Sequence, residues 1–210
     1  MNSKQHQNPV LLVHGIWDKG EIFSKLGRYL QQQGWSVHTL DLTPNTGAAP
    51  LEILAAQVAN FVESTFGSDR PFDLVGFSMG GLVTRYYIQR LGGVERVQRY
   101  VTISAPHHGT ITAYSLPLKG VEQMRPESDF LQDLNRDAVE ILSQVQFTSF
   151  WTPYDLMIVP PSSSKMPVGK EVQLNVAVHR WMVSDRTCLE AIAQTLSVPL
   201  RDWQYLASNI

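Results

Sequence analysis

The sequence predicts an α/β fold: about six mostly parallel strands, helices on both faces, no large lid, and one domain over residues 1–210. Three observations predict it. Short apolar runs of the kind that buried parallel strands need recur along the chain. Stretches with helical spacing fall between them. No repeat, low-complexity tract or linker divides the chain, and 43% hydrophobic with 17% charged residues is a globular composition.

Val10–His14 (VLLVH) reads as the first strand. Glu21–Gln33 carries Ile22, Leu26, Tyr29 and Leu30 at helical spacing, with Gly34 as a stop. Val37–Leu42 is the next strand, and Leu51–Phe66, closed by Gly67, is the strongest helix. Phe72–Phe77 (FDLVGF) is a third strand, followed at once by a helix over Met79–Leu91. Val97–Ser104 is a fourth strand. Pro106 to about Ser128 reads as irregular, and a helix follows near Phe130–Ser143. Val145–Trp151 and Val172–Val178 complete the strands, and Arg186–Leu196 is the last helix. In such sheets the functional residues lie in loops at the carboxyl ends of strands.

A formal net charge of -2 excludes the charge excess that nucleic acid or an anionic membrane attracts. The single cysteine, Cys188, excludes an intramolecular disulfide and a thiolate metal cluster. Histidine spacing offers no metal site and no phosphate loop is present, so no metal and no cofactor are expected. The first apolar run, Val10–Val13, is too short for a signal-peptide core or a membrane span. The expectation is a cytoplasmic protein, for which peripheral contact with a membrane stays open. Oligomeric state leaves no mark in the sequence.

Gly76-Phe77-Ser78-Met79-Gly80-Gly81 fits G-x-S-x-G between an apolar strand and a helix. The strand must turn into the helix within a few residues, which strains the serine backbone and requires small neighbours. Ser78 is thereby lifted above the sheet edge at a helix N-terminus, where negative charge is favoured. The plainer reading, a tight turn whose serine caps a helix, does not account for this context.

A serine nucleophile needs two oxyanion donors and a base. Val13-His14-Gly15-Ile16 ends the first strand, so the donors are the backbone N–H groups of Ile16 and Met79, with His14 as a structural brace. The chain order for this arrangement is Ser, then Asp or Glu, then His. Among the histidines after Ser78, His179 follows the strand VQLNVAV and is the candidate base. His107 and His108 come too early to leave an acid before them. Asp155, after the fifth strand, is the candidate acid that orients the imidazole. Its rivals Asp129, Asp133 and Asp137 read as an exposed helix face, and Asp185 reads as a helix N-cap.

VLLVHGIWD, GFSMGG and YDLMIVP followed by VAVH resemble the small bacterial lipases of the α/β-hydrolase superfamily. Length and order resemble the minimal lidless lipase of the bacillus type, from Val10 to about Leu196. The resemblance implies Ser78, Asp155 and His179 as the triad and Ile16 and Met79 as oxyanion donors. Phe77 stands where this group commonly has histidine, which points to a reshaped pocket floor. Ser104-Ala105-Pro106-His107-His108-Gly109 resembles a loop that lies near the active site of larger lipases. His107 is therefore a candidate substrate contact, against a preferred structural role.

Ile16, Trp17, Met79, Ile111, Tyr114, Leu116, Met157, Ile158 and Val159 lie in or beside the carboxyl-end loops, and more than half are expected in the core. Trp17, His107, Tyr114, Met157 and Ile158 are the candidate substrate contacts. The function expected is hydrolysis of carboxylic esters by an acyl-enzyme route, releasing fatty acids from acylglycerols or membrane glycerolipids with transient contact at a lipid surface. The competing readings are an esterase, thioesterase or amidase on small acyl substrates, and a catalytically silent binding module.

Overall fold

The computed structural model describes residues 7–200. Its strands are β1 (Val10–Val13), β2 (Val37–Leu40), β3 (Phe72–Phe77), β4 (Val97–Ile103), β5 (Gln146–Trp151) and β6 (Lys170–Gln173). They form one sheet in the order β2-β1-β3-β4-β5-β6, with every neighbouring pair parallel. Parallel neighbours require long crossovers. These are α1 (Ser24–Gln32) before β2, α2 (Leu51–Phe66) before β3 and α3 (Met79–Arg90) before β4. Between β4 and β5 run the short helices α4 (Lys119–Glu122), α5 (Asp129–Arg136) and α6 (Ala138–Leu142), and α7 (Arg186–Leu196) follows β6.

Successive strand residues point to opposite faces, and both faces are covered. Leu11, Leu74, Tyr100 and Phe147 pack with Leu54 and Val58 of α2, Leu82 of α3 and Leu142 of α6. Val10, Leu12, Val75 and Val101 pack with Leu26 and Leu30 of α1 and Ile192 and Leu196 of α7. The stretch 104–145 folds into short helices, of which α5 and α6 lie against α3, and no large lid stands over the carboxyl edge among the described residues. No helix among them is long and apolar enough to cross a membrane.

Several expected elements are redrawn. The helix expected from Glu21 begins with a 3-10 turn, Gly20–Phe23, because the Gly20 N–H donates to Asp41 Oδ1 at 2.6 Å. The stretch read as irregular holds a 3-10 turn, Ile111–Ser115, and α4. The helix expected over Phe130–Ser143 is broken at Asp137, which leaves helical geometry (φ -119°, ψ 14°). The Gln89 amide and the Arg90 guanidinium donate to its carboxylate at 2.6 and 2.7 Å. The strand expected over Val172–Val178 is instead Lys170–Gln173, since Gln173 pairs with Trp151, the last residue of β5. Beyond it no partner strand continues.

One acid stands inside the apolar run of β3. Asp73 is fully buried and pairs with Arg99 of β4, Nη1 to Oδ2 at 3.1 Å. Its other oxygen accepts from the Arg99 N–H at 3.1 Å and from Asn8 Nδ2 at 2.9 Å. Arg99 also donates through Nε and Nη2 to the Val198 carbonyl at 2.9 and 2.7 Å, tying the segment after α7 to the sheet. Burial pushes the Asp73 carboxyl above its ordinary value against the pull of Arg99 and Asn8. The pair sits near the amino ends of the strands, away from Ser78. Asp73→Ala would leave a buried guanidinium without its counter-charge, and is expected to remove about 3–5 kcal/mol of stability in urea unfolding. Activity per folded molecule should stay unchanged.

Candidate active site

β3 ends at Phe77 and α3 begins at Met79, so a single residue turns the chain. That residue, Ser78, has φ 54° and ψ -126°. A non-glycine residue here carries about 1–3 kcal/mol of strain, which the surroundings must impose. The Ser78 N–H donates to the Ile103 carbonyl at 2.9 Å, and the Gly81 N–H donates to the Ser78 carbonyl at 2.9 Å. Backbone contact with the loop after β1 does the rest. A Cβ on Gly80 would stand 2.4 Å from the carbonyl oxygens of Val13 and His14, and one on Gly15 would stand 2.8 Å from Ser78 Cβ. Only hydrogen fits at either position.

The same loop supplies the Ile16 amide, which has no acceptor among the described residues. Met79 is the first residue of α3, where the helix offers its N–H no acceptor either. His14 braces the loop. Its Nε2 accepts from the Leu42 N–H at 2.9 Å, which leaves Nδ1–H to donate to the Gly15 carbonyl at 2.8 Å.

His179 lies beside the serine on a different loop. Its ring packs against that of Phe77, with centroids 4.9 Å apart, and it is 8% exposed. Phe77 therefore backs the imidazole, where the sequence pointed to a pocket floor. His179 Nδ1 lies 2.7 Å from Asp155 Oδ2. With Nδ1–H donated to the carboxylate, Nε2 keeps its lone pair and can accept a proton. No hydrogen bond joins Ser78 Oγ to His179, and such contacts commonly tighten only around substrate.

Asp155 is held from the other side as well. Its Oδ1 accepts from the Met157 and Ile158 N–H groups, both at 2.9 Å. Burial alone would raise its carboxyl. The His179 contact and the two amides outweigh that and hold it below its ordinary value. The Asp155 loop is stitched to the loop after β4: Thr110 and Thr112 hydroxyls both donate to the Met157 carbonyl, at 2.9 and 2.7 Å. Three of the four rivals for the acid are engaged elsewhere, and the fourth, Asp129, opens α5. Asp133 and Asp137 pair with Arg90, and Asp185 caps α7 by accepting from the Thr187 N–H.

A cavity of about 80 Å³ opens at Ser78 between these loops, walled mainly by Ile16, Trp17, Leu116, Met124, Met157 and Ile158. Of the candidate substrate contacts, Trp17, Met157 and Ile158 line it. Tyr114 does not: it is 61% exposed under the Arg125 guanidinium. His107 does not either. It is fully buried, with Nε2 3.0 Å from Thr102 Oγ1, and burial followed by the Arg85 charge keeps it neutral. Its imidazole turns back to Thr102 of β4 and forms no part of the cavity wall. The sequence missed Thr110, Val121 and Met124 of the cavity wall: α4, which carries Val121, is too short to show periodicity, and Thr110 and Met124 lie in the irregular stretches beside it.

The lowered Asp155 carboxyl has a definite pH consequence. Its charged form is favoured in the fold, so its contribution is complete above the ordinary aspartate value of 3.8 and is lost as pH falls through the lower folded value. In urea unfolding, the stability advantage of the native chain over Asp155→Asn is expected to hold from neutral pH down to about 4 and to shrink below it. An advantage independent of pH would contradict the assignment.

The chain matches the alpha/beta hydrolase fold family over residues 8–206. Among solved structures it is similar to a Bacillus licheniformis lipase in mature form, at 15% identity and TM-score 0.76, covering 94% of this chain and 95% of that one. It is similar to Aspergillus fumigatus lipase B at 17% identity and TM-score 0.76, over 94% of this chain and 54% of that one. A Bacillus anthracis bromoperoxidase matches at 16% identity and TM-score 0.72, over 91% and 92%. At these identities the structural likeness speaks to the fold, and the family match spans nearly the whole sequence: the chain belongs to the alpha/beta hydrolase fold family.

Proposed function

We propose that this chain is a serine hydrolase of carboxylic esters that releases fatty acids from lipid acyl esters. The observation that carries the reading is the 2.7 Å His179–Asp155 contact, packed on the residue that precedes the strained Ser78. In this reading Ser78 Oγ attacks the ester carbonyl carbon while His179 Nε2 takes its proton. The oxyanion is met by the Ile16 and Met79 N–H groups. Collapse expels the alcohol, which receives the proton from His179, and leaves an acyl-Ser78. Water, deprotonated by His179, then releases the carboxylic acid and restores Ser78. Asp155 orients the ring and balances the imidazolium charge.

The lipid part of the reading rests on where apolar surface is left open. Among the described residues, twelve large apolar side chains are strongly exposed. Ile53, Leu91, Val139 and Val198 are scattered, and the other eight lie in the loops around Ser78. They include Trp17, Tyr154, Leu156 (82% exposed) and Trp181. Tyrosine and tryptophan are side chains that settle at a lipid–water boundary. A transient seat on a lipid surface uses this rim. The single buried, unpaired Cys188 suits a reducing compartment such as the cytosol.

A second reading, an esterase or thioesterase on small soluble acyl substrates, is favoured by the modest size of the cavity at Ser78. Nitrophenyl esters and thioesters of graded acyl length, assayed with and without lipid dispersion, separate the two. Rates that rise with chain length and with dispersed lipid are expected. Rates confined to the shortest soluble acyl groups would favour the second reading. Ser78→Ala should lower ester hydrolysis on the order of 10⁴-fold or more. A variant with full activity would exclude Ser78 as the nucleophile, and folded native protein that neither hydrolyses these esters nor is labelled by a fluorophosphonate at Ser78 would leave a binding module.

A further inference from the structure

Two loops meet beside Ser78. One follows β1 and carries the Ile16 amide, and the other carries His179. Their neighbours join them: Arg180 Nη2 lies 2.7 Å from Asp18 Oδ1. The two ends of this pair are unlike. Asp18 is buried, at 8% exposure, while two-thirds of the Arg180 side chain is open to solvent. An exposed cation thus reaches inward to a sunken carboxylate.

The backbone around Asp18 is already fixed by other means. Trp17 has φ 59°, which a tryptophan adopts only under constraint. The Trp17 N–H donates to the Asn45 carbonyl at 2.7 Å, and Asn45 Nδ2 donates to the Asp18 carbonyl at 2.7 Å. The Asp18 carboxylate takes no part in these bonds. Burial pushes it above its ordinary value, and Arg180, then His14 and His179, oppose that. Arg180 is its one ion-pair partner among the described residues.

We propose that the Asp18–Arg180 pair is a positioning clamp for hydrolysis at Ser78, which holds the oxyanion loop and the histidine loop in one register and neutralises the guanidinium next to His179. The proposal rests on the reading of Ser78 and His179 given above. When His179 takes the serine proton, an imidazolium forms one residue from Arg180. An uncompensated guanidinium there would repel it. Three charged groups are gathered around this histidine: Asp155, bonded to the ring from the loop after β5, Asp18, near it from the loop after β1, and Arg180, bonded to Asp18 from the histidine's own loop. Asp18 cancels Arg180, and Asp155 is left to balance the imidazolium. Neither Asp18 nor Arg180 touches the ester in this arrangement. Both act through groups that do.

The loss of either partner is therefore unequal. Asp18→Asn breaks the tie and frees the cation, whereas Arg180→Gln breaks the tie alone. In the full chain, Asp18→Asn is expected to lower kcat about tenfold or more with KM changed less than about twofold. Arg180→Gln should lower kcat by a smaller factor. The double variant should turn over faster than Asp18→Asn, because removing the stray cation restores part of the rate. Fluorophosphonate labelling of Ser78 should slow in the same order, and thermal midpoints check that each variant is folded. Arg180 is exposed, so Arg180→Gln keeps the test decisive even where Asp18→Asn weakens the fold.

Wild-type kcat in Arg180→Gln, a loss confined to KM, or independent losses that multiply in the double variant would overturn the clamp. If Ser78→Ala retains activity, the ester-hydrolase reading fails instead. If Ser78→Ala is inactive and Arg180→Gln is unimpaired, the clamp alone fails.

Discussion

Everything at the carboxyl edge depends on one backbone contact, the packing of the loop after β1 against the turn at Ser78. Gly15 and Gly80 let two stretches of main chain approach to distances that no side chain tolerates. That approach holds Ser78 in its strained conformation, because the turn cannot relax without driving Gly80 into the carbonyls of Val13 and His14. It also brings the loop that carries the Ile16 amide up to the turn that carries the Met79 amide. Strain at Ser78 and the nearness of these two amides are thus a single geometric fact.

The remaining groups come from loops that owe their positions to this edge. β4 lends the Ile103 carbonyl that anchors Ser78. β5 carries Asp155, which is gripped by the N–H groups of its own loop before it meets His179. Phe77, buried at the end of β3, supports the imidazole from below. The serine and the face of its histidine are therefore set by adjacent residues of one strand, while the tautomer is set from another.

Ser78 was legible because its motif is local: a buried strand, small residues and a helix within six positions. His179 and Asp155 were singled out by the order in which such groups follow along a chain, and the fold brings the two side chains together. Features that depend on distant partners were not. β6 stops at Gln173 because β5 stops at Trp151, although Val172–Val178 continues to alternate. The helix after Ser128 breaks at Asp137 because side chains of α3 capture that carboxylate. His107 stands in a loop that the sequence placed beside the cleft, yet its ring turns inward to Thr102. Asp73 in an apolar run and the pairing of Asp18 with Arg180 both depend on contacts between residues far apart in sequence.

The two threonine hydroxyls that share the Met157 carbonyl have a consequence for how this protein can change. Thr110 belongs to the wall of the cavity, and Met157 belongs to the loop that grips Asp155. Wall and acid are mechanically one body. A substitution that reshapes the wall at Thr110 would also shift the carboxylate bonded to the imidazole, so the shape of the cavity and the setting of the ring would drift together. The opposite wall, at Val121 on α4, has no such bond to the Asp155 loop. Variation there can alter the shape of the cavity while leaving the Asp155–His179 contact untouched, and it is the side on which new shapes can arise by small steps.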